Sequence, residues 1–271
     1  MNCCRIRWRD IFMMKSGRKT LPGNSLIGKG NCTFIMVKYG CILMILVFIS
    51  CSSNVRGTGN NTEDQEKGNR SDVVEEVKSL EDYILALKNL KPMLPIANSH
   101  VATFDGQLPN APRKYRNGYH EGFDFYDGFC GVEIENGTPV LAIADGKVIR
   151  TDTLYVEIEP EKRSVLLEKA KERGFTPAAT LDILRGRQVW IDHGNRIVTR
   201  YCHLSGIQHG LKGSVLKGDT LGLVGGSGTK SKTPHLHFEI YFADDFFGKG
   251  MKPDEIRVLM DEIFVPLTVN E

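Results

Sequence analysis

The stretch Pro234-His235-Leu236-His237-Phe238-Glu239-Ile240 decides how this chain is read. It places two histidines one residue apart in a strand-like run. In an extended chain residues i and i+2 project from the same face, so both imidazoles point into one place. That suits a metal ligand beside a proton-transfer group. Glu239 follows on the same face and reads either as support for a histidine or as packing. The pair alone is equally compatible with two half-buried histidines, so its meaning depends on partners elsewhere in the chain.

Upstream, Gly118-Tyr119-His120-Glu121-Gly122-Phe123-Asp124-Phe125 carries a His and an Asp four apart. Four residues would also share one helix face, but Gly118, Gly122 and the aromatics favour an extended chain. His120 and Asp124 are therefore expected on one strand face. A further histidine lies in Arg200-Tyr201-Cys202-His203-Leu204, after the β-rich run Val189–Gly194. The turn at Gly194-Asn195 predicts a hairpin with His203 near the end of its second strand. Three glycine-bounded strands of this kind can converge in a small β-structure, as a zinc site requires.

Taken in order, His120-x-x-x-Asp124, Tyr201-Cys202-His203-Leu204 and His235-Leu236-His237-Phe238-Glu239 resemble the lysostaphin-type (LytM-like) zinc metallopeptidases, which cut peptide bonds in bacterial peptidoglycan. Family-like stretches also occur at Gly137–Val140, Ala142–Val148, Val215–Gly222 and Gly225–Gly228, so the likeness covers about residues 113–150 and 187–242. The resemblance implies that His120, Asp124 and His237 bind one Zn²⁺, with His203 and His235 beside it as catalytic groups. Three protein ligands leave a position open for water or substrate, and the metal would lower the pKa of bound water to roughly 7. One imidazole would take the water's proton and the other stabilise the developing oxyanion or protonate the leaving amine. We assign His235 as base and His203 as stabiliser.

The other polar residues carry weaker readings. His193 precedes a turn glycine and reads as structural, His209 as a solvated loop residue, and His100 has no assigned role. Arg116, Asn117 and Tyr119 could line the site, cap the metal in a latent state, or simply form a turn. The glycines Gly225, Gly226 and Gly228 make a flexible loop that resembles a groove wall of the family. No GxxxxGK[ST] phosphate loop is present. Cys202, adjacent to His203, should face away from the metal, and an exported protein could join it to Cys130 in a disulfide.

The N-terminus suggests where the protein works. Residues 1–51 carry +7 of a whole-chain charge of +2, leaving residues 52–271 at −5. The uncharged run Cys41–Ile49 has the length of a signal h-region and falls short of the roughly 20 residues that span a bilayer. Ser50-Cys51 resembles a permissive lipobox, so residues 1–51 read as an export signal, with Met36 as a candidate true start and Cys51 as the site of a lipid anchor in the membrane. The expected location is the cell envelope, on the periplasmic or wall side. A mildly acidic mature chain gives no electrostatic case for nucleic acid.

Residues 52–71 are polar and aperiodic, a flexible tether. Asp72 and Glu75 resemble a capping pair opening a helix or stalk over 72–91, closed by Pro92 and Pro95. Residues 92–271 then form the catalytic domain, with an insertion at about 158–186 that reads as two helices, Glu161 to Arg173 and Ala178 to Leu184. The insertion could gate the groove or pack against it. The fold class is mainly β, an antiparallel groove domain of lysostaphin type (duplicated-hybrid-motif-like) with peripheral helices. The expected function is that of a monomeric zinc endopeptidase acting on peptidoglycan cross-links or stem peptides. The alternative is a non-catalytic wall-binding or amidase-activating regulator of the same fold.

Overall fold

The computed structural model describes residues 79–264, all within the unit Arg70–Glu271. The export signal, Cys51, the tether and the Asp72–Glu75 cap lie outside the described residues. Helix α1 spans Leu80–Asn89 and opens on a capping box: the Ser79 hydroxyl accepts from the Asp82 N–H at 3.1 Å, and the Asp82 carboxylate accepts from the Ser79 N–H at 2.9 Å. The described helix thus begins at Leu80, and the earlier part of the expected 72–91 helix lies outside the described residues. Ser79 is extended (φ −71°, ψ 164°), and its hydroxyl satisfies a donor that a continuing helix would have used.

The body is mainly antiparallel β. Short strands β1 (Pro112–Arg113) and β2 (Gly118–Tyr119) pair with each other, and β3 (Phe123–Phe125) follows. After β4 (Pro139–Leu141) and β5 (Gly146–Thr151) come helices α2 (Pro160–Arg173) and α3 (Ala178–Leu184), which occupy the insertion. Strands β6 (Val189–Asp192), β7 (Ile197–Cys202), β8 (Gly206–Ile207), β9 (Ser214–Val215), β10 (Thr220–Leu223), β11 (Leu236–Phe242) and β12 (Asp245–Phe246) complete the β-structure. The chain then enters α4 (Pro253–Ile263), which buries Ile256, Leu259, Met260 and Ile263. The main sheet runs β12-β11-β7-β6-β5-β9, with β3 also on β11, and a smaller sheet runs β4-β10-β8. Among the described residues no helix is long and apolar enough to cross a membrane.

Strand β11 organises the site. Leu236, Phe238, Ile240 and Phe242 enter the core with Tyr201, Phe123, Phe125 and Ile191. Its other face presents His237, Glu239 and Tyr241, and of these His237 and Glu239 are buried as well. Polar groups buried in this way must be paired, and here the insertion supplies part of the pairing, because Arg185 caps the C-terminal end of α3. The hairpin expected at Gly194-Asn195 joins β6 to β7, with Ile191 opposite Thr199.

Candidate metal centre

Cross-strand register brings Asp124 and His237 together: they are direct partners in the β3–β11 pairing. Directly opposed residues of an antiparallel pair share a face with close Cβ atoms, so their side chains meet without a long reach. His120 arrives differently from the sequence expectation of one strand face. It lies between β2 and β3, with its N–H donating to the Ala111 carbonyl at 2.8 Å. Gly122 lets the chain bend there against β11, since a Cβ at this position would sit 2.3 Å from the Phe238 carbonyl oxygen.

Three atoms converge: His120 Nε2 to Asp124 Oδ1 is 2.9 Å, His120 Nε2 to His237 Nδ1 is 2.9 Å, and His237 Nδ1 to Asp124 Oδ1 is 2.8 Å. All three residues are buried. The opposite ring nitrogens are already committed. His120 Nδ1 donates to the Leu108 carbonyl at 3.0 Å, and His237 Nε2 donates to the Glu239 carboxylate at 2.9 Å. Since carbonyl and carboxylate oxygens only accept, the protons sit on those far nitrogens and the lone pairs of the neutral rings face inward. With both rings neutral, two imidazole lone pairs and a carboxylate oxygen crowd one point, a repulsive cluster that a metal ion at the centre or a second proton on His237 relieves. This donor set, two nitrogens and one oxygen with carboxylate support behind a histidine, fits a zinc ion.

Protonation follows the same logic. Burial pushes the His120 pKa down to about 4, against the pull of Asp124. Burial alone would raise the Asp124 carboxyl, but the neighbouring imidazoles of His120 and His237 outweigh it and hold the group well below its usual range. Burial would likewise lower His237, yet hydrogen bonds to Asp124 and Glu239 outweigh it and raise the pKa to about 9. Without a metal, a proton on His237 is therefore the cation that the carboxylates accept.

His203 and His235 stand beside this set. Their ring centroids are 4.7 Å apart, and His203 lies 5.6 Å from His237. His203 Nδ1 donates to the Ser227 carbonyl at 2.8 Å and His235 Nδ1 to the Thr233 carbonyl at 2.9 Å, so both rings are left with a basic Nε2. Burial depresses both pKa values. His235 also stacks on Tyr126, with centroids 4.1 Å apart and the rings 9° from parallel. The glycine loop thus has a defined task, since Ser227 within it orients His203.

The register corrects one expectation. Cys202 is the cross-strand partner of His237 and so shares its face instead of pointing away. His203 is not part of β7. Its backbone is left-handed (φ 64°), which breaks the strand alternation and turns the ring toward the site. The Arg185 carbonyl accepts the His203 N–H at 2.9 Å and helps fix that conformation. Cys130 and Cys202 are both buried free thiols, and no disulfide joins them.

Glu239 supports His237, one of the two roles its position allowed, whereas several further supporting residues escaped the sequence reading. Arg113 donates to Asp124 Oδ2 at 3.0 Å. Glu239, fully buried, accepts from Arg185 Nε at 2.8 Å and from Arg200 Nη1 at 3.2 Å. Arg200 is held between Trp190 and Tyr241, its guanidinium carbon 4.0 and 3.7 Å from their ring centroids. Arg185 Nη2 also reaches Glu121 at 2.8 Å, and the Tyr241 hydroxyl donates to the same carboxylate at 2.5 Å. A buried Glu239 demanded cations, but nothing in the local sequence identified which ones. His193 is structural, bonded to the Asp145 carbonyl and the Thr199 hydroxyl, each at 2.8 Å. Asn117 is a left-handed turn residue, Tyr119 and His209 are exposed, and His100 caps its neighbour's carbonyl, Val101 O, at 2.9 Å. The five histidine and aspartate positions line a cleft of about 940 Å³, together with Arg116, Arg163 and Leu167 among others.

Residues 118–249 match peptidase family M23. An uncharacterized metalloprotease of Buchnera aphidicola subsp. Baizongia pistaciae is 27% identical over 130 residues, 48% of this chain and 25% of the relative. The chain thus spans about a quarter of that relative's length. Among solved structures, a zinc-containing peptidase from Vibrio cholerae is 23% identical over 56% of this chain and 37% of its own, with a TM-score of 0.36. The catalytic domain of the antimicrobial peptidase lysostaphin from Staphylococcus simulans is 18% identical over 65% of this chain and 97% of its own, with a TM-score of 0.31.

Proposed function

Residues 118–249 being a peptidase family M23 domain, we propose that the protein is a zinc-dependent endopeptidase that hydrolyses peptide bonds of bacterial peptidoglycan. The observation that carries this reading is the convergence of His120 Nε2, Asp124 Oδ1 and His237 Nδ1, each within 2.9 Å of the other two, in a buried set. A zinc ion held by these three residues supplies Lewis-acid activation of water and of the scissile carbonyl. Asp124 is held from behind by Arg113, and His237 by Glu239, so both ligands are oriented before substrate arrives.

His235 is the proton acceptor. The Thr233 carbonyl fixes its Nδ1–H, Tyr126 fixes its ring plane, and Nε2 is free to take a proton and return it to the leaving amine. His203 opens onto the same volume with its Nδ1–H held by the Ser227 carbonyl, and once it takes up a second proton on Nε2 it donates to the oxygen that gains charge. The open cleft accepts an extended peptide. We place the protein in the cell envelope, tethered through a lipid on Cys51; the support is the basic N-terminal run, its apolar segment and the Ser50-Cys51 pair. Purified protein incubated with sacculi should release peptide-bond cleavage products identifiable by mass spectrometry, and a chelator should stop the release. Sacculi left uncut by protein carrying one equivalent of zinc would refute the assignment.

A further inference from the structure

The cleft walls are unevenly charged. Arg113, Arg116, Arg163, Lys171, Arg185 and Lys230 line it, against Asp124 and Glu168 as the lining acids. Arg113 is committed to Asp124, and Arg185 to Glu239 and Glu121. Arg116, Arg163, Lys171 and Lys230 have no carboxylate partner among the described residues.

Arg116 is the most informative of these. It is only 4% exposed, and its guanidinium is bonded to neutral oxygens alone: Nη2 to the Tyr119 carbonyl, and Nη1 to the Thr176 hydroxyl at 3.2 Å. The Thr176 hydroxyl in turn donates to the Arg116 carbonyl at 2.5 Å. Thr176 lies between the two inserted helices, so the insertion fixes this side chain. The neighbouring backbone is shaped around it, since a Cβ on Gly118 would sit 2.5 Å from Arg116 Nη1 and 2.9 Å from Thr176 Oγ1. Arg163, on α2, donates from Nε to the Gly228 carbonyl at 3.3 Å and spans from the insertion to the glycine loop. A buried guanidinium without a counter-ion is costly, and its planar fork matches a carboxylate.

We propose that Arg116, with Arg163 on the inserted helix, forms an anion subsite that binds a free carboxylate of the substrate peptide. The insertion is then a specificity wall, and the protein favours acidic over amidated peptides. This rests on the peptidase reading above for the nature of the ligand. The subsite opens onto the same cleft as the metal set, since Arg116 and Arg163 line it together with His120, Asp124 and His237.

The test uses the intact zinc-loaded protein and acetylated alanine tetrapeptides in three forms: free C-terminal carboxylate, C-terminal amide, and the amide with one alanine replaced by glutamate. Binding is read by calorimetry and cleavage by mass spectrometry on the same mixtures. One carboxylate form should bind about tenfold or more tightly than the plain amide, in line with a charge-assisted hydrogen bond. The form that does so identifies a terminal or a side-chain carboxylate as the ligand. Arg116→Gln should bring the ratio toward one. Arg163→Gln, on a partly exposed helix surface, should reduce it and keeps the test decisive if Arg116→Gln does not fold. Equal binding of all three peptides by the wild type overturns the subsite. A preference that survives in both variants, with zinc still at one equivalent, also overturns it and places the carboxylate on the metal instead. Arg116-dependent preference in a zinc-loaded protein that leaves sacculi uncut leaves the subsite standing and removes the peptidase reading; cleavage of sacculi without preference among the peptides does the reverse.

Discussion

Arg185→Gln tests whether the insertion is part of the metal centre. Arg185 is 5% exposed and joins Glu239, which is fully buried, to Glu121 and Tyr241. Removing one partner of a buried ion pair costs about 3–5 kcal/mol, because the remaining charge keeps its desolvation penalty without its compensation. Arg200 still donates to Glu239 at 3.2 Å, which places the expected loss near the lower end, about 3 kcal/mol. At about 2–4 °C per kcal/mol for a domain of this length, the Tm of the metal-free protein should fall by about 6–12 °C. Glu239 also orients His237, so zinc affinity, read by competition with a chromophoric chelator, should weaken by about 10- to 100-fold. The double variant Arg185→Gln/Glu239→Gln removes the orphaned charge and should be more stable than Arg185→Gln alone, while still binding zinc weakly. A double variant whose stability loss equals or exceeds the sum of the singles would refute the orphaned-charge reasoning. Unchanged zinc affinity in Arg185→Gln would refute the link from the insertion to the metal.

Further outcomes follow from the same geometry. His120→Ala or His237→Ala should leave purified protein without stoichiometric zinc by elemental analysis, whereas His203→Ala should keep close to one equivalent and lose hydrolysis of sacculi; a fully active His203→Ala protein would remove that histidine from the mechanism. Stripping zinc with a chelator should lower Tm, since metal present at about 1,000 times its Kd stabilises by about 4 kcal/mol; a scan showing no difference between loaded and stripped protein would contradict a site at these residues. Phe238→Ala, at a fully buried core position of β11, should cost about 3–5 kcal/mol by urea unfolding, with a loss under 1 kcal/mol contradicting the core placement.

Much of the strand structure was legible because alternation is a local property. The hairpin through Gly194-Asn195 and the two helices at Pro160–Arg173 and Ala178–Leu184 can be read from turn residues, a helix-starting proline and closing glycines. The failures were also physical. Even spacing suggested one strand for His120 and Asp124, but a bend at Gly122 separates them, and their meeting depends on contacts with β11 and the Leu108 carbonyl. Strand alternation placed Cys202 away from the metal because it assumed that His203 continued the strand; the left-handed backbone at His203 reversed that inference. Helix α4 has an apolar stripe at helical spacing, Ile256, Leu259, Met260 and Ile263, and the sequence reading passed over it.

The sequence by itself determined the residue types at the site and their grouping: a His-x-x-x-Asp, a lone histidine after a hairpin, and a His-x-His pair. Side-chain chemistry and short-range periodicity are enough for that. The tertiary structure decided which atoms face one another. Register made Asp124 and His237 partners, backbone carbonyls at Leu108, Thr233 and Ser227 selected the tautomers, and Arg185 came from a distant insertion to neutralise Glu239. Those contacts join residues 24 to 113 positions apart, apart from the local bonds of His120 and His235, and a pairing across such separations is set by the packing of the whole sheet and not by any stretch of the chain.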